Sequence, residues 1–70
     1  MNDVVKRKLN ELKELATCIK AEANYLLEDI NDVETDNDLP IVENKFSLIQ
    51  RYAQEGYDKT LSTYDEFEEE

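Results

Sequence analysis

The side chains that could do chemistry in this chain are almost all carboxylates. Eighteen of its 70 residues are Asp or Glu, against eight Lys and Arg, one Cys, four Tyr and no His. Without histidine, nearly all zinc sites and imidazole-based acid–base catalysis are excluded. Carboxylates alone hold hard cations, work in pairs as general acid and base, or present charge to a basic partner. Pairing for catalysis is poorly supported. A di-metal site in a helical bundle needs Glu and His projecting inward, and the inward spacings here carry apolar residues. No nucleophile–base pair, phosphate loop or cofactor motif is present. The expectation is a non-enzyme with no cofactor.

One acidic run has a spacing that suits a cation. Asp32, Glu34, Asp36, Asp38 and Glu43 fall at positions 1, 3, 5, 7 and 12 of a helix–loop–helix segment. This resembles the oxygen spacing of an EF-hand calcium loop. Asn37 stands where that loop needs Gly, Pro40 takes the ninth position, and the third is a long Glu. The first ligand would also lie inside a helix. A solvated acidic turn is therefore expected, with calcium binding a remote alternative. Cys18 reads as a small residue at the edge of a helix interface rather than a redox or metal thiol. Tyr25, Tyr52, Tyr57 and Tyr64 sit at helical spacings and read as interface residues with wet hydroxyls. The basic counter-surface of a nucleic-acid stacking site is absent.

These groups must be positioned by helices. Val5, Leu9, Leu12, Ala16, Ile19, Ala23, Leu26, Ile30 and Val33 recur in alternating steps of four and three, the heptad seam of a helix laid on another helix. With Asn2 or Asp3 as N-cap, the spacing predicts a first helix over about 3–33, roughly 45 Å long. An acidic turn follows over 34–38. Asp38 is the expected cap of a second helix over about 39–64, with Pro40 tolerated in its first turn. That helix carries Val42, Phe46, Ile49, Ala53, Tyr57, Leu61, Tyr64 and Phe67 along one line. Gly56 lies where the spacing slips, so irregularity or fraying is expected there. Residues 65–70 read as a loose acidic tail.

A short turn makes the two helices antiparallel neighbours. One register pairs the seams throughout: Ile30 with Val42, Leu26 with Phe46, Ala16 with Tyr57, Val5 with Phe67. The same register brings Lys6 near Glu66 and Lys13 near Asp58. The fold class is thus all-α, a single domain over 1–70 forming an antiparallel two-helix, coiled-coil-like hairpin. Seventy residues bury little core, and one cysteine cannot staple the chain. Dimerisation into a four-helix bundle is the expected remedy. The apolar residues outside the seams are the candidate interface: Ile41, Leu48 and Tyr52 on the second helix, Cys18, Ala21 and Tyr25 on the first.

The net charge is −10, unevenly spread. Residues 1–20 carry five bases and three acids, whereas residues 21–38 carry seven acids and no base. Such a chain repels nucleic acid and anionic membrane. The first helix is also charged against its dipole, basic at its start and acidic at its end. No base of the hairpin lies near Glu28, Asp29, Asp32, Glu34, Asp36 and Asp38, so this end is expected to meet a partner with a basic surface. No apolar run reaches the roughly 20 residues of a membrane span, and the N-terminus has no block of signal-peptide type; the expected location is the cytoplasm. The functional expectation is a small non-catalytic acidic protein acting by protein–protein interaction, as an adaptor, assembly factor or regulator, working as a homodimer. The alternative is an acidic nucleic-acid mimic of the phage type, blocking a basic groove. Its carboxylates should run along one face, whereas here they cluster at the two ends.

Overall fold

The computed structural model describes residues 2–68. Two long helices, α1 (Asp3–Asn31) and α2 (Leu39–Glu68), are joined by a single 3-10 turn at Asp36–Asp38. They lie against each other as an antiparallel hairpin. Asn2 caps α1: its Oδ1 accepts the Val5 backbone N–H at 2.8 Å, satisfying one of the orphan donors of the first turn. At the far end the Asp32 N–H donates to the carbonyls of Glu28 and Asp29, and α1 stops at Asn31, two residues before the expected Val33.

The turn is held by its own side chains. Thr35 is the N-cap of the 3-10 turn, and the expected cap of α2, Asp38, lies inside that turn. The Thr35 Oγ1 accepts the Asn37 N–H at 3.3 Å, while the Asp38 carboxylate reaches back to accept the N–H groups of Glu34 and Thr35. This reciprocal capping box ends in a 3-10 turn that runs directly into α2, with Pro40 in its first helical turn. α2 then continues unbroken through Gly56, whose φ is not positive. The expected irregularity is absent. Residues 65–68 also belong to α2 instead of a loose tail, and Glu66 approaches the Lys8 ammonium at 3.7 Å. Glu69 and Glu70 lie outside the described residues.

The expected antiparallel pairing is present, but the contacts Lys8–Ser62, Glu11–Lys59 and Leu15–Gly56 lie one to three residues off the expected register, and the expected facing is not kept. Lys8 pairs with Glu66, Glu11 with Lys59 at 3.0 Å and Glu22 with Lys45 at 2.8 Å. The anticipated Lys6–Glu66 and Lys13–Asp58 pairs do not form. α1 keeps most of its seam, with Val5 and Leu26 buried and Leu9, Leu12, Ile19, Ala23 and Val33 half-buried; Ala16 and Ile30 are exposed. α2 is turned about its axis. Val42 and Ile49 stay half-buried, but Phe46, Ala53, Tyr57, Leu61, Tyr64 and Phe67 are exposed. In their place α2 offers Lys45, Tyr52, Gly56, Lys59, Thr63 and Glu66, all buried or half-buried.

The reason is geometric. Gly56 and Thr63 fall at the same heptad position as Val42 and Ile49, so this line of α2 meets α1. The Thr63 hydroxyl donates to the Lys59 carbonyl at 2.7 Å, so its burial leaves no unmet donor. Turning α2 this way also swings Lys45 and Lys59 onto Glu22 and Glu11. Each pair perturbs ionisation: a hydrogen bond from Lys59 holds the Glu11 carboxyl below its ordinary pKa, and the bond to Glu22 holds Lys45 above its own. These are surface pairs, better at fixing rotation than at adding stability.

Two measurements check this packing. A Cβ added at Gly56 would meet Leu15 Cδ1 at 3.9 Å, an ordinary contact. Gly56→Ala is expected to stabilise the helix by about 0.5–1 kcal/mol in urea unfolding; destabilisation would show that the helices close more tightly there. A carboxylate whose pKa is lowered on folding contributes stability above its unfolded pKa and loses it as pH falls through the folded value. The stability gap between the parent chain and Glu11→Gln should therefore narrow as pH drops below about 4.5. A gap that does not change with pH would remove the Lys59 contact from the account.

Candidate functional site

α2's rotation decides which residues are left exposed. Leu48 and Tyr52 are half-buried, Tyr52 lying in the same heptad line as Lys45 and Lys59, which both bond to α1. Ile41 alone of that stripe is well exposed. Ile41, Leu48 and Tyr52 therefore do not project together as a free stripe. Their neighbours on α1 are exposed but set among charges. Cys18 shares a hollow with Glu11, Glu14, Glu55 and Lys59, and the Lys45 ammonium sits 5.3 Å from the Tyr25 ring centroid. Ala21 is exposed and contributes one methyl group. This side of the hairpin is a polar, ion-paired surface with isolated apolar residues.

The opposite side is apolar. Leu9, Ala16, Ala23 and Ile30 recur every seven residues along α1, and Leu39, Phe46, Ala53, Thr60 and Phe67 do so along α2. These lines sit beside the groove on the side away from the ion pairs. At the end carrying the chain termini they close into a furrow lined by Leu9, Leu12, Thr60, Thr63, Tyr64 and Phe67. Toward the turn they expose Leu27, Ile30, Leu39 and Phe46. The large side chains are far from covered: Phe46 is 51% exposed, Tyr57 62%, Tyr64 64% and Phe67 45%. These exposed large side chains share one side of the rod, unlike the isolated apolar residues of the ion-paired side. Sequence reasoning assigned these residues to the hairpin seam. The missed signal was the row Lys45, Tyr52, Lys59 and Glu66, recurring every seven residues, whose charged members meet opposite charges on α1.

The acidic residues gather at the turn end. Glu28, Asp29, Asp32, Glu34, Asp36 and Asp38 form no ion pair within 4 Å among the described residues, although Asp29 acts at longer range on Lys45. They do not assemble a cation cage with Glu43: among the described residues no three acids come together as metal ligands would. Asp38 is committed to the capping box, Asp32 terminates α1, and Glu43 is carried into α2. Asp29 is half-buried toward α2, and its Oδ2 is buried without a hydrogen-bond partner. An orphan oxygen of this kind is costly, and the charge also opposes the α1 dipole.

Asp29→Leu is accordingly expected to raise stability by about 1–3 kcal/mol, read as a higher urea midpoint. A lower midpoint would mean that the attraction between Asp29 and Lys45 outweighs the orphan oxygen. No protein-family model matches this chain, and no curated protein or solved structure shows significant similarity to it.

Proposed function

We propose that this chain is a non-catalytic helical protein that works by protein–protein interaction, as an adaptor, assembly factor or regulator, through the apolar face of its hairpin. The observation that carries the proposal is the size and continuity of that face, which runs from Leu27, Ile30 and Phe46 near the turn to Tyr57, Tyr64 and Phe67 near the termini. Its simplest occupant is a second copy, making a four-helix bundle. Domains are built from packed layers, and the hairpin is one layer, 54 × 15 × 9 Å across its Cα atoms. Its radius of gyration is 16.2 Å, against about 11 Å for a compact chain of this length. Among the described residues, only Val5 and Leu26 of its apolar side chains are buried.

A second reading, the acidic inhibitor of a basic groove, draws support from the turn-end carboxylates that lack ion pairs. It uses a different surface and predicts binding that collapses with salt, which binding through the apolar face does not. The proposal is tested by sedimentation equilibrium of the parent chain and of Phe46→Asp. The parent should be dimeric at micromolar concentration, and a carboxylate placed in the dry interface should weaken association on the order of 100-fold or more. A parent chain that stays monomeric throughout would remove the second copy as the occupant.

A further inference from the structure

The apolar face has two unlike edges, and they determine how it can be covered. Three residues before each member of the α1 line stand Lys6, Lys13, Lys20 and Leu27; three before the α2 line stand Glu43, Gln50, Tyr57 and Tyr64. Residues three apart share a helix face. The face is thus bordered by a lysine row on α1 and a tyrosine-rich row on α2. Lys6, Lys13 and Lys20 form no ion pair among the described residues, although the chain carries 18 acids. The contacts between Lys8 and Ser62, between Glu11 and Lys59, and between Leu15 and Gly56 fix the hairpin register. That register sets Lys6 level with Tyr64, Lys13 with Tyr57, Lys20 with Gln50 and Leu27 with Glu43, on opposite edges of the same face.

We infer that two copies pack through this face with their turns at the same end, so that α1 of one copy lies along α2 of the other. This rests on the reading of the face as a homodimer surface and goes beyond it by fixing the arrangement. A two-fold axis parallel to the helices places each lysine row on the partner's tyrosine row, at matching levels. The alternative, with turns at opposite ends, lays α1 on α1 and brings the two lysine rows together with no acid between them. A lysine over a tyrosine ring already occurs within the hairpin, at Lys45 and Tyr25, and such contacts are favourable. The amount of surface also fits a second copy. The chain exposes 5483 Å², roughly 1000 Å² more than a compact monomer of this mass. One partner of a stable interface contributes about 800 Å².

The arrangement gathers two acidic turns at one end. Their repulsion is blunted because Asp29, Asp32 and Asp38 border a hollow with Ile41, on the ion-paired side of the rod. It is further screened at physiological salt, where the Debye length is about 8 Å.

The test is a distance between copies. With Cys18→Ser removing the native thiol, Asp36→Cys carries a nitroxide label on the exposed turn, and pulsed dipolar spectroscopy reads the separation. Turns at the same end place the labels about 15–30 Å apart, a few helix spacings plus the label arms. Turns at opposite ends place them about 40 Å apart or more, most of the 54 Å rod. A long distance in a dimer overturns the arrangement and leaves the dimer reading standing. Absence of a dipolar signal, with a monomer in sedimentation, overturns both. As a second measurement, Lys13→Glu should weaken dimerisation several-fold, through loss of its contact with Tyr57; strengthening would show that lysine rows face each other.

Discussion

Everything in this molecule follows from the fact that a two-helix layer has one groove and more apolar residues than that groove can hold. A helix of a globular protein carries an apolar stripe wide enough to touch more than one neighbour. α1 and α2 each have one neighbour. The structure resolves the conflict by giving the groove to small and ion-paired residues on α2 and sending the aromatics outward. Gly56 and Thr63 lie in the groove, and Lys45 and Lys59 reach Glu22 and Glu11. Phe46, Tyr57, Tyr64 and Phe67 are left facing solvent together. On the proposed function the hairpin is half of a core, and the apolar face is the surface proposed to complete it.

Electrostatics then sort the two sides. Polar contacts line one side of the groove and apolar residues the other. The strongest acidic density lies at the turn, outside the ion pairs of Lys8, Lys45 and Lys59, with Asp29 acting on Lys45 only at longer range. Helix α1 carries Glu28, Asp29 and Asp32 at its C-terminal end against its dipole, and Asp29 keeps a buried oxygen without a partner. Local rules broken in one place without compensation are a reason to look for a use. The lysine row of Lys6, Lys13 and Lys20 is the counterpart at the other end, charge held beside an apolar face with no acid spent on it.

Much of this was legible in the chain itself. A cap at Asn2 or Asp3, the long helices and the placement of Pro40 follow from local rules whose inputs are adjacent residues, and the short turn between the helices makes them antiparallel. The rotation of α2 was not legible, because Val42 and Ile49 belong to two apolar lines at once. One continues through Phe46 and Ala53, the other through Tyr52 and Gly56. Hydrophobicity favours the first for a helix that must be buried on every contact. The second coincides with the line whose lysines find carboxylates, Lys45 on Glu22 and Lys59 on Glu11. The turn was misread for a related reason. Asp38 has the right position to cap α2, but its carboxylate is claimed by the Glu34 and Thr35 N–H groups behind it.

The central claim, that the hairpin supplies one half of a core completed by a second copy, makes folding and association a single process. The direct measurement is the thermal midpoint as a function of protein concentration, followed by circular dichroism over two or more decades. The account predicts a midpoint that climbs steadily with concentration, as for any fold whose stability depends on mass action. A midpoint that stays constant across that range would show that the hairpin is stable alone, and would contradict it.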